Sequence, residues 1–311
     1  MTTLPLVSVI IPNFNRKAAL QRAVDSVLAQ DYEAFEVIVV DDASTLDVAL
    51  TLSPAEEEKL RWIALPQNLG GGGARNIGLD HARGEVVAFL DSDDVWTSDK
   101  LTKQVTRYLA DGRPQDCVYY AQVVHDQDGR TQILPERGMA PGETVGDYLF
   151  PWRGNLLTTI ALFMSRELAR RVRFTQALRI HQDIDFCLRL QQAGARFHFH
   201  PEPLGRWYAE FREDRMSYRP KFLLSLDWLE TTGNLMPFAT RQKFAAQLAS
   251  KMPAYVWQSP GVVLRGLWRC WRADYISTRY ALRLLTQFVV PQRWSDAMAR
   301  ALKPAKPAES R

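Results

Sequence analysis

The chain has 311 residues, 46% hydrophobic and 24% charged, which is room for one large domain plus an appendage or for two domains of ordinary globular composition. Its net charge of +4 is unevenly placed: residues 221–311 carry 14 Lys and Arg against 5 Asp and Glu, whereas the remainder is net −5. Three scattered cysteines in no CxxC or zinc spacing exclude a disulfide framework and a structural zinc, and no run of about 18 apolar residues is present to span a bilayer.

Val7 to Ile11 is a β-rich run that Pro12 is expected to stop. The start of the chain leads straight into it, with no basic n-region or long apolar core, so no signal peptide and a reducing, cytoplasmic location are expected. After Asn13-Phe14-Asn15, apolar residues at Ala19, Leu20, Ala23, Val24, Val27 and Leu28 follow helical spacing. Phe35 to Val40 reads as a second strand and ends in Asp41-Asp42-Ala43-Ser44; Leu60 to Leu65 reads as a third. Gly70 to Gly73 reads as a loop opening a helix through about Ala82. Val86 to Leu90 is a fourth strand, and it stops abruptly at Asp91-Ser92-Asp93-Asp94.

Near-continuous apolar strands alternating with helices predict an α/β fold, a mostly parallel sheet flanked by helices. Ligands of such sheets bind at the carboxyl ends of the strands. Those ends carry Pro12 to Asn15, Asp41-Asp42 and Asp91 to Asp94, three segments converging on one polar crevice. Asp91 and Asp93, two apart, share a face of a continued strand. Three crowded carboxylates repel one another, and a hard divalent cation with oxygen ligands relieves this. A cap on a helix starting near Trp96 accounts for one acid and leaves the others. A calcium EF-hand fails because Trp96 stands where its loop needs Gly.

The glycine run matches neither familiar phosphate motif. No Gly-Lys-Ser/Thr follows it, and the sixth position of GxGxxG is Arg75 from Gly70 or Asn76 from Gly71. Two readings remain: a small-residue backbone close to a ligand with Arg75 as a positive fork for phosphate, or a flexible loop before a helix with a solvated Arg.

Downstream, a helix is expected from past Trp96 to about Ala110, then a strand Val118 to Val124 turning at Asp126 to Arg130 into Thr131 to Leu134. Pro135 to Asn155 is loop-rich and long enough for a flap, Leu156 to Met164 reads as strand, and Ser165 with Glu167 starts a short helix. In Ile180 to Leu190 the stripe Ile184, Cys187 and Leu188 marks a buried helix, with Asp183 at its start either as a first-turn acid or as a general base. His198 and His200 alternate on a strand without a third metal ligand nearby. From about Pro220, helical segments at 222–229, 239–248, 262–271 and 276–288 contain or flank five of the nine Trp. A basic, Trp-rich helical region at 221–311, beyond a catalytic domain at 1–220, suits a membrane surface or packing on the domain or a second subunit. Lys303 to Arg311 reads as disordered.

Val7 to Asn15, Asp41 to Ser44, Asn68-Leu69-Gly70 with Ala74-Arg75-Asn76, and Phe89 to Asp94 resemble, in order and spacing over roughly residues 5–210, the family 2 glycosyltransferases. The resemblance implies a GT-A fold, a nucleotide-sugar donor, Mg2+ or Mn2+, and inverting transfer to an acceptor hydroxyl. It implies that Pro12 and Phe14 line the nucleoside, that Asp42 binds the base and that Arg75 lies near the diphosphate. Asp91-Ser92-Asp93 matches the DXD motif, with Asp93 the metal ligand and Asp91 a second acid nearer the ribose. Gln182-Asp183 matches a Glu-Asp pair whose Asp is the catalytic base; the supporting Glu is Gln here, and Asp185 is the fallback base. Processive members resemble one another in Gln-x-x-Arg-Trp and membrane spans. Here Pro203 precedes Arg206-Trp207 and spans are missing, so addition of a single sugar is expected, to a glycan or lipid-linked glycan. The expected partners are a donor, from the uridine diphosphate sugars that are the family default, and that acceptor, with no nucleic acid. The expected location is cytoplasmic or peripheral on the inner face of the cytoplasmic membrane.

A nucleotidyltransferase would carry a Gly-rich, Lys- or Arg-bearing loop after the first strand, where this chain has Pro12-Asn13-Phe14-Asn15. A non-catalytic nucleotide-binding or scaffold module is the third reading.

Overall fold

Strand β1 (Val7–Asn13) is almost wholly buried and lies between β2 (Phe35–Asp41) and β4 (Val86–Phe89), parallel to both. β3 (Leu60–Ala64) extends the parallel set on the outer side of β2. The structure, a computed structural model, describes residues 3–150, 154–209, 222–232, 235–255 and 259–289. The chain forms two compact units, Met1–Arg219 and Pro220–Arg311.

Pro12 does not stop β1: it pairs with Val40, and the strand continues to Asn13. The reason lies in the ladder. Ile10 O accepts from Leu90 N on the β4 side, whereas Asn13 O accepts from Asp42 N on the β2 side. Position 12 therefore faces the β4 side, but β4 ends at Phe89, opposite Ile10, so the N–H that proline lacks has no strand to bond.

Beyond β4 the sheet becomes mixed. β5 (Val95–Trp96), β6 (Cys117–Gln127), β7 (Arg130–Leu134), β8 (Phe163–Ser165) and β9 (Arg196–Tyr208) complete the order β3-β2-β1-β4-β8-β6-β9-β5, with β7 paired to β6. β8 runs antiparallel to β4 and β6, while β9 runs parallel to β6 with irregular register around Gln122.

One face of the sheet, through Val7, Val9, Ile11, Val37 and Val39, packs on α1 (Lys17–Leu28) and α4 (Lys100–Ala110). The stripe expected from Ala19 to Val27 is the buried stripe of α1. On the other face, α3 (Gly70–His81) approaches β1 so closely that a Cβ on Gly78 would stand 2.4 Å from Ile10 Cγ2. α6 (Arg166–Val172), capped by Ser165 as expected, and α7 (Gln182–Gln192) complete the helices that follow. Phe174, between them, stacks on Phe186 of α7 at 4.0 Å and meets Phe89 edge-on at 5.2 Å.

Several local expectations are corrected. The glycine run is not a loop: α3 begins at Gly70, because the run is packed against protein. Helix α4 starts at Lys100 rather than near Trp96, since Val95 and Trp96 pair with Arg206 and Gly205 as β5. Leu156 to Met164 is not a strand but a 3-10 turn at Thr159–Ala161 leading into β8, and the short helix α2 (Pro54–Lys59) was not foreseen. Within 135–150, α5 (Val145–Leu149) and an Arg137–Glu143 ion pair order the segment expected as a flap.

The second unit is helical as expected: α8 (Phe222–Thr231), α9 (Phe238–Lys251), α10 (Pro260–Arg272) and α11 (Thr278–Val289). Trp228 is buried against Phe244 at 5.4 Å, and Gly266 admits Met252 where a Cβ would clash at 2.9 Å. Trp257, Trp294 and the tail at Lys303 to Arg311 lie outside the described residues. Among the described residues no helix is long and apolar enough to cross a membrane.

Candidate active site

The carboxyl ends of β1, β2 and β4 meet the first turns of α3 and α7. At the end of β1, Pro12 is partly buried and Phe14 leaves 45% of its surface open. Asn13 between them is buried and donates from Nδ2 to Asp41 Oδ1 at 3.0 Å. That carboxylate fixes which way the amide faces, and it leaves Asn13 Oδ1 buried without a hydrogen-bond partner among the described residues. An unpartnered buried acceptor invites a ligand N–H. Asn15 takes a left-handed conformation with φ 55° and accepts from the amides of Thr45 and Leu46 at 2.8 and 3.0 Å, which ties the β1 loop to the β2 loop.

The two acids ending β2 face opposite ways. Asp41 serves Asn13 and Ser44. Asp42 accepts from the amides of Leu69 at 2.6 Å and Gly70 at 2.8 Å, so its carboxylate caps α3. A Cβ on Gly71, Gly72 or Gly73 would meet Arg75 and Gln182, Thr175 O and Phe174, or Leu69 and Gln176. Gly71, Gly72 and Gly73 therefore let α3 pack on the 174–182 segment, while Gly70 has open space around it.

Arg75 lies one turn into α3 and its side chain is 8% exposed. It pairs with Asp91 through Nη2, donates from Nη1 to Gln182 Oε1 at 2.9 Å, and lies over the Phe174 ring at 5.3 Å. A buried guanidinium is tolerable only with such partners; its Nε has none among the described residues.

Asp91 and Asp93 are partly open and alternate with buried Ser92 and Asp94, but β4 ends at Phe89 and the segment is a turn closed by Asp94 N on Asp91 O at 3.0 Å, so the shared face expected of a continued strand does not form. Asp93 pairs with Arg16, which directly precedes α1. Asp94 is not a helix cap. It accepts from Tyr208 N at 2.9 Å and pins the end of β9 beside the crevice, because β5 intervenes before α4.

α7 starts from His181, left-handed with φ 59°, which sets Gln182 and Asp183 at the crevice. Asp183 is half-buried, and burial lifts its pKa above the usual carboxylate range; a hydrogen bond from Ile184 N opposes the rise, Asp91 adds to it and Arg75 opposes it. A carboxyl so placed is suited to accept a proton. Asp185, the fallback, is buried and accepts from Thr175 Oγ1 at 2.7 Å and Arg189 Nε at 2.9 Å, contacts that fix it within the fold. Arg206 is held on Asp126 at 2.7 Å, and the Trp207 ring lies tilted against His125 with centroids 4.5 Å apart.

Among the described residues no three His, Cys, Asp or Glu side chains are arranged to hold an ion by themselves. Asp91 and Asp93 are partly open hard oxygen donors in the turn after β4, which fits Mg2+ or Mn2+ held by one or two carboxylates plus phosphate oxygens of a substrate.

Residues 8–173 match the model of Glycosyl transferase family 2. The chain is 31% identical over 253 residues to the amylovoran biosynthesis glycosyltransferase AmsB of Erwinia amylovora, covering 79% of this chain and 83% of AmsB. It is 35% identical over 104 residues to WfgD of Escherichia coli, a UDP-Glc:alpha-D-GlcNAc-diphosphoundecaprenol beta-1,3-glucosyltransferase, covering 33% of this chain and 41% of WfgD. The fold matches that of TarS residues 1–349 from S. aureus, solved also with UDP-GlcNAc, at a TM-score of 0.62 and 19% identity over 97% of this chain and 93% of that one. The fold is thus that of a GT-A glycosyltransferase, and the chain belongs to glycosyl transferase family 2.

Proposed function

We propose that this glycosyltransferase moves a single sugar, with inversion, from a uridine diphosphate sugar to a hydroxyl of a glycan carried on lipid during surface-polysaccharide assembly. The observation that carries the reading is the convergence of Asp91, Arg75, Gln182 and Asp183 at one crevice. Pro12 and Phe14 would line the nucleoside, with Asn13 Oδ1 as an acceptor and the Asp42 loop closing the base end. Asp93, with Asp91 and Ser92 beside it, and Arg75 would hold the diphosphate end, where a bound Mg2+ or Mn2+ stabilises the departing nucleoside diphosphate. Asp183 would take the proton of the acceptor hydroxyl; inversion needs one such base, on the face opposite the leaving group. The activity of WfgD supports both the donor class and the lipid carrier.

The helical unit supports a membrane-side location. Leu264, Trp268 and Trp271 form an exposed i, i+4, i+7 ridge on α10. Exposed Arg265, Arg272, Arg279 and Arg283 accompany it, and Arg272 lies 5.1 Å over the Trp268 ring. Apolar and aromatic residues rimmed by arginines suit an anionic lipid surface.

Incubation with a panel of nucleotide sugars and lipid-linked acceptors, with product linkage analysis, tests the reading. Transfer of one sugar with inverted configuration, lost in excess chelator, is expected. Long polymer, retained configuration or full activity in chelator would each refute the corresponding part. Sedimentation with phosphatidylglycerol vesicles, compared with phosphatidylcholine, tests the location; equal binding to both would count against it.

A further inference from the structure

Asp91 and Asp93 are each paired with an arginine, but the two arginines are not equivalent. Arg75 is enclosed by Asp91, Gln182 and Phe174. Arg16 is 30% exposed, and among the described residues its side chain is joined to Asp93. Its backbone is fixed at both ends: Asn15 is anchored on Ser44, Thr45 and Leu46, and Arg16 O accepts from Leu20 N at 2.9 Å in the first turn of α1. A fixed backbone with a long, half-open side chain can change partners without moving the fold.

We propose that Arg16 is a positioning residue that couples cation capture to nucleotide capture. In the donor-free protein its guanidinium holds Asp93, the carboxylate offered to the metal. A bare divalent cation must displace a like charge with no new partner for it. A cation arriving with a diphosphate offers the guanidinium phosphate oxygens, which its planar fork fits. Asp93 then goes to the cation and Arg16 to the phosphate, so metal and nucleotide strengthen each other's binding equally. This rests on the reading of the crevice as a nucleotide-sugar site.

The test measures binding and no turnover. Mn2+ affinity of the full chain is followed by electron paramagnetic resonance, alone and with UDP or GDP, for the wild type, Arg16→Ala, Arg16→Gln and Arg16→Lys. In the wild type, nucleoside diphosphate should tighten Mn2+ binding by about 5- to 150-fold, the usual span of site-to-site coupling. Arg16→Ala and Arg16→Gln should bind Mn2+ alone more tightly than wild type and lose most of the enhancement, while Arg16→Lys keeps part of it. Introducing Asp93→Asn should make the Arg16 substitution silent. Unchanged Mn2+ affinity and unchanged coupling in both neutral variants would overturn the proposal while leaving the donor site intact. A wild type that binds neither Mn2+ nor any nucleoside diphosphate would overturn the site reading itself, and the proposal with it.

Discussion

Gln182 Oε1 accepts from Arg75 Nη1 at 2.9 Å, and this contact ties the first turn of α7 to the second turn of α3. The glutamine does with a neutral amide what a carboxylate would do with a charge: it holds the guanidinium without neutralising it. Gln182 Nε2 is in turn fixed on Leu178 O at 2.7 Å, so the amide cannot rotate freely. Gln182→Glu would place a negative charge beside Asp183 and against Arg75. The acid limb of the pH–rate profile should move to higher pH, and donor KM should rise by about tenfold, the effect of some 1.4 kcal/mol of weakened phosphate attraction. A profile unmoved by this substitution would mean that position 182 does not feel the base.

Asp183→Asn should keep donor binding and lower turnover by roughly 10²- to 10⁴-fold, the usual contribution of a positioned base. The pH dependence follows from burial. A base must be ionised to accept a proton, so wild-type activity should fall as pH drops through a pKa lying above the usual carboxylate range. The stability sign runs the other way. Raised in the fold, this carboxyl favours folding below its unfolded pKa, and that contribution is lost as pH rises through the folded value. Asp183→Asn should therefore be at least as stable as wild type at neutral pH in thermal unfolding while being inactive. A destabilised, equally active variant would remove Asp183 from the chemistry.

Gly78→Ala should destabilise the first unit. The new Cβ would stand 2.4 Å from a branched methyl of Ile10, which cannot swing away. Overpacking of this kind costs about 1–3 kcal/mol, against roughly 1 kcal/mol gained by replacing a helical glycine. The net loss should appear as a fall of a few degrees in the unfolding midpoint. Donor KM should rise too, because Arg75 lies one turn earlier on the displaced helix. An unchanged midpoint would mean that α3 does not press on β1.

Lys100 is fully buried in α4, bonded to Gln104 Oε1, with Nζ 4.6 Å from the Trp96 ring centre, and burial pushes its pKa down to about 7. The unfolded chain holds this proton up to the ordinary lysine range. Stability should consequently fall as pH drops from about 10 toward 7, at up to about 1.4 kcal/mol per pH unit. Lys100→Met should flatten that slope in denaturant titrations run across the range. A slope that persists in the variant would assign it to other groups.

Much of this fold was legible because burial imposes period on sequence. The α1 stripe and the apolar run of β2 are consequences of which side faces the core, and the end of β4 shows as a switch from apolar to acidic. What was not legible depended on neighbours distant in sequence. Pro12 stays in a strand because β4 has already ended, and Val95-Trp96 is a strand because β9 returns more than a hundred residues later. The acids and Arg75 stood out by type and spacing. Arg16 carried no such signal, since an arginine ahead of a helix is ordinary until Asp93 is placed opposite it.

The carboxylate of Asp42 receives the amides that open α3. The partial positive charge of that helix end is thereby answered from within the protein. An anion in the crevice would then be met by cationic side chains such as Arg75 and Arg16 and by whatever cation accompanies the ligand, rather than by fixed backbone dipoles. Recognition of that kind should weaken steeply with ionic strength and tolerate variation in the group attached beyond the phosphates. In this chain the identity of the sugar is accordingly expected to be read by the walls from α7 and the end of β9, where Tyr208 stands, and not by the phosphate cradle.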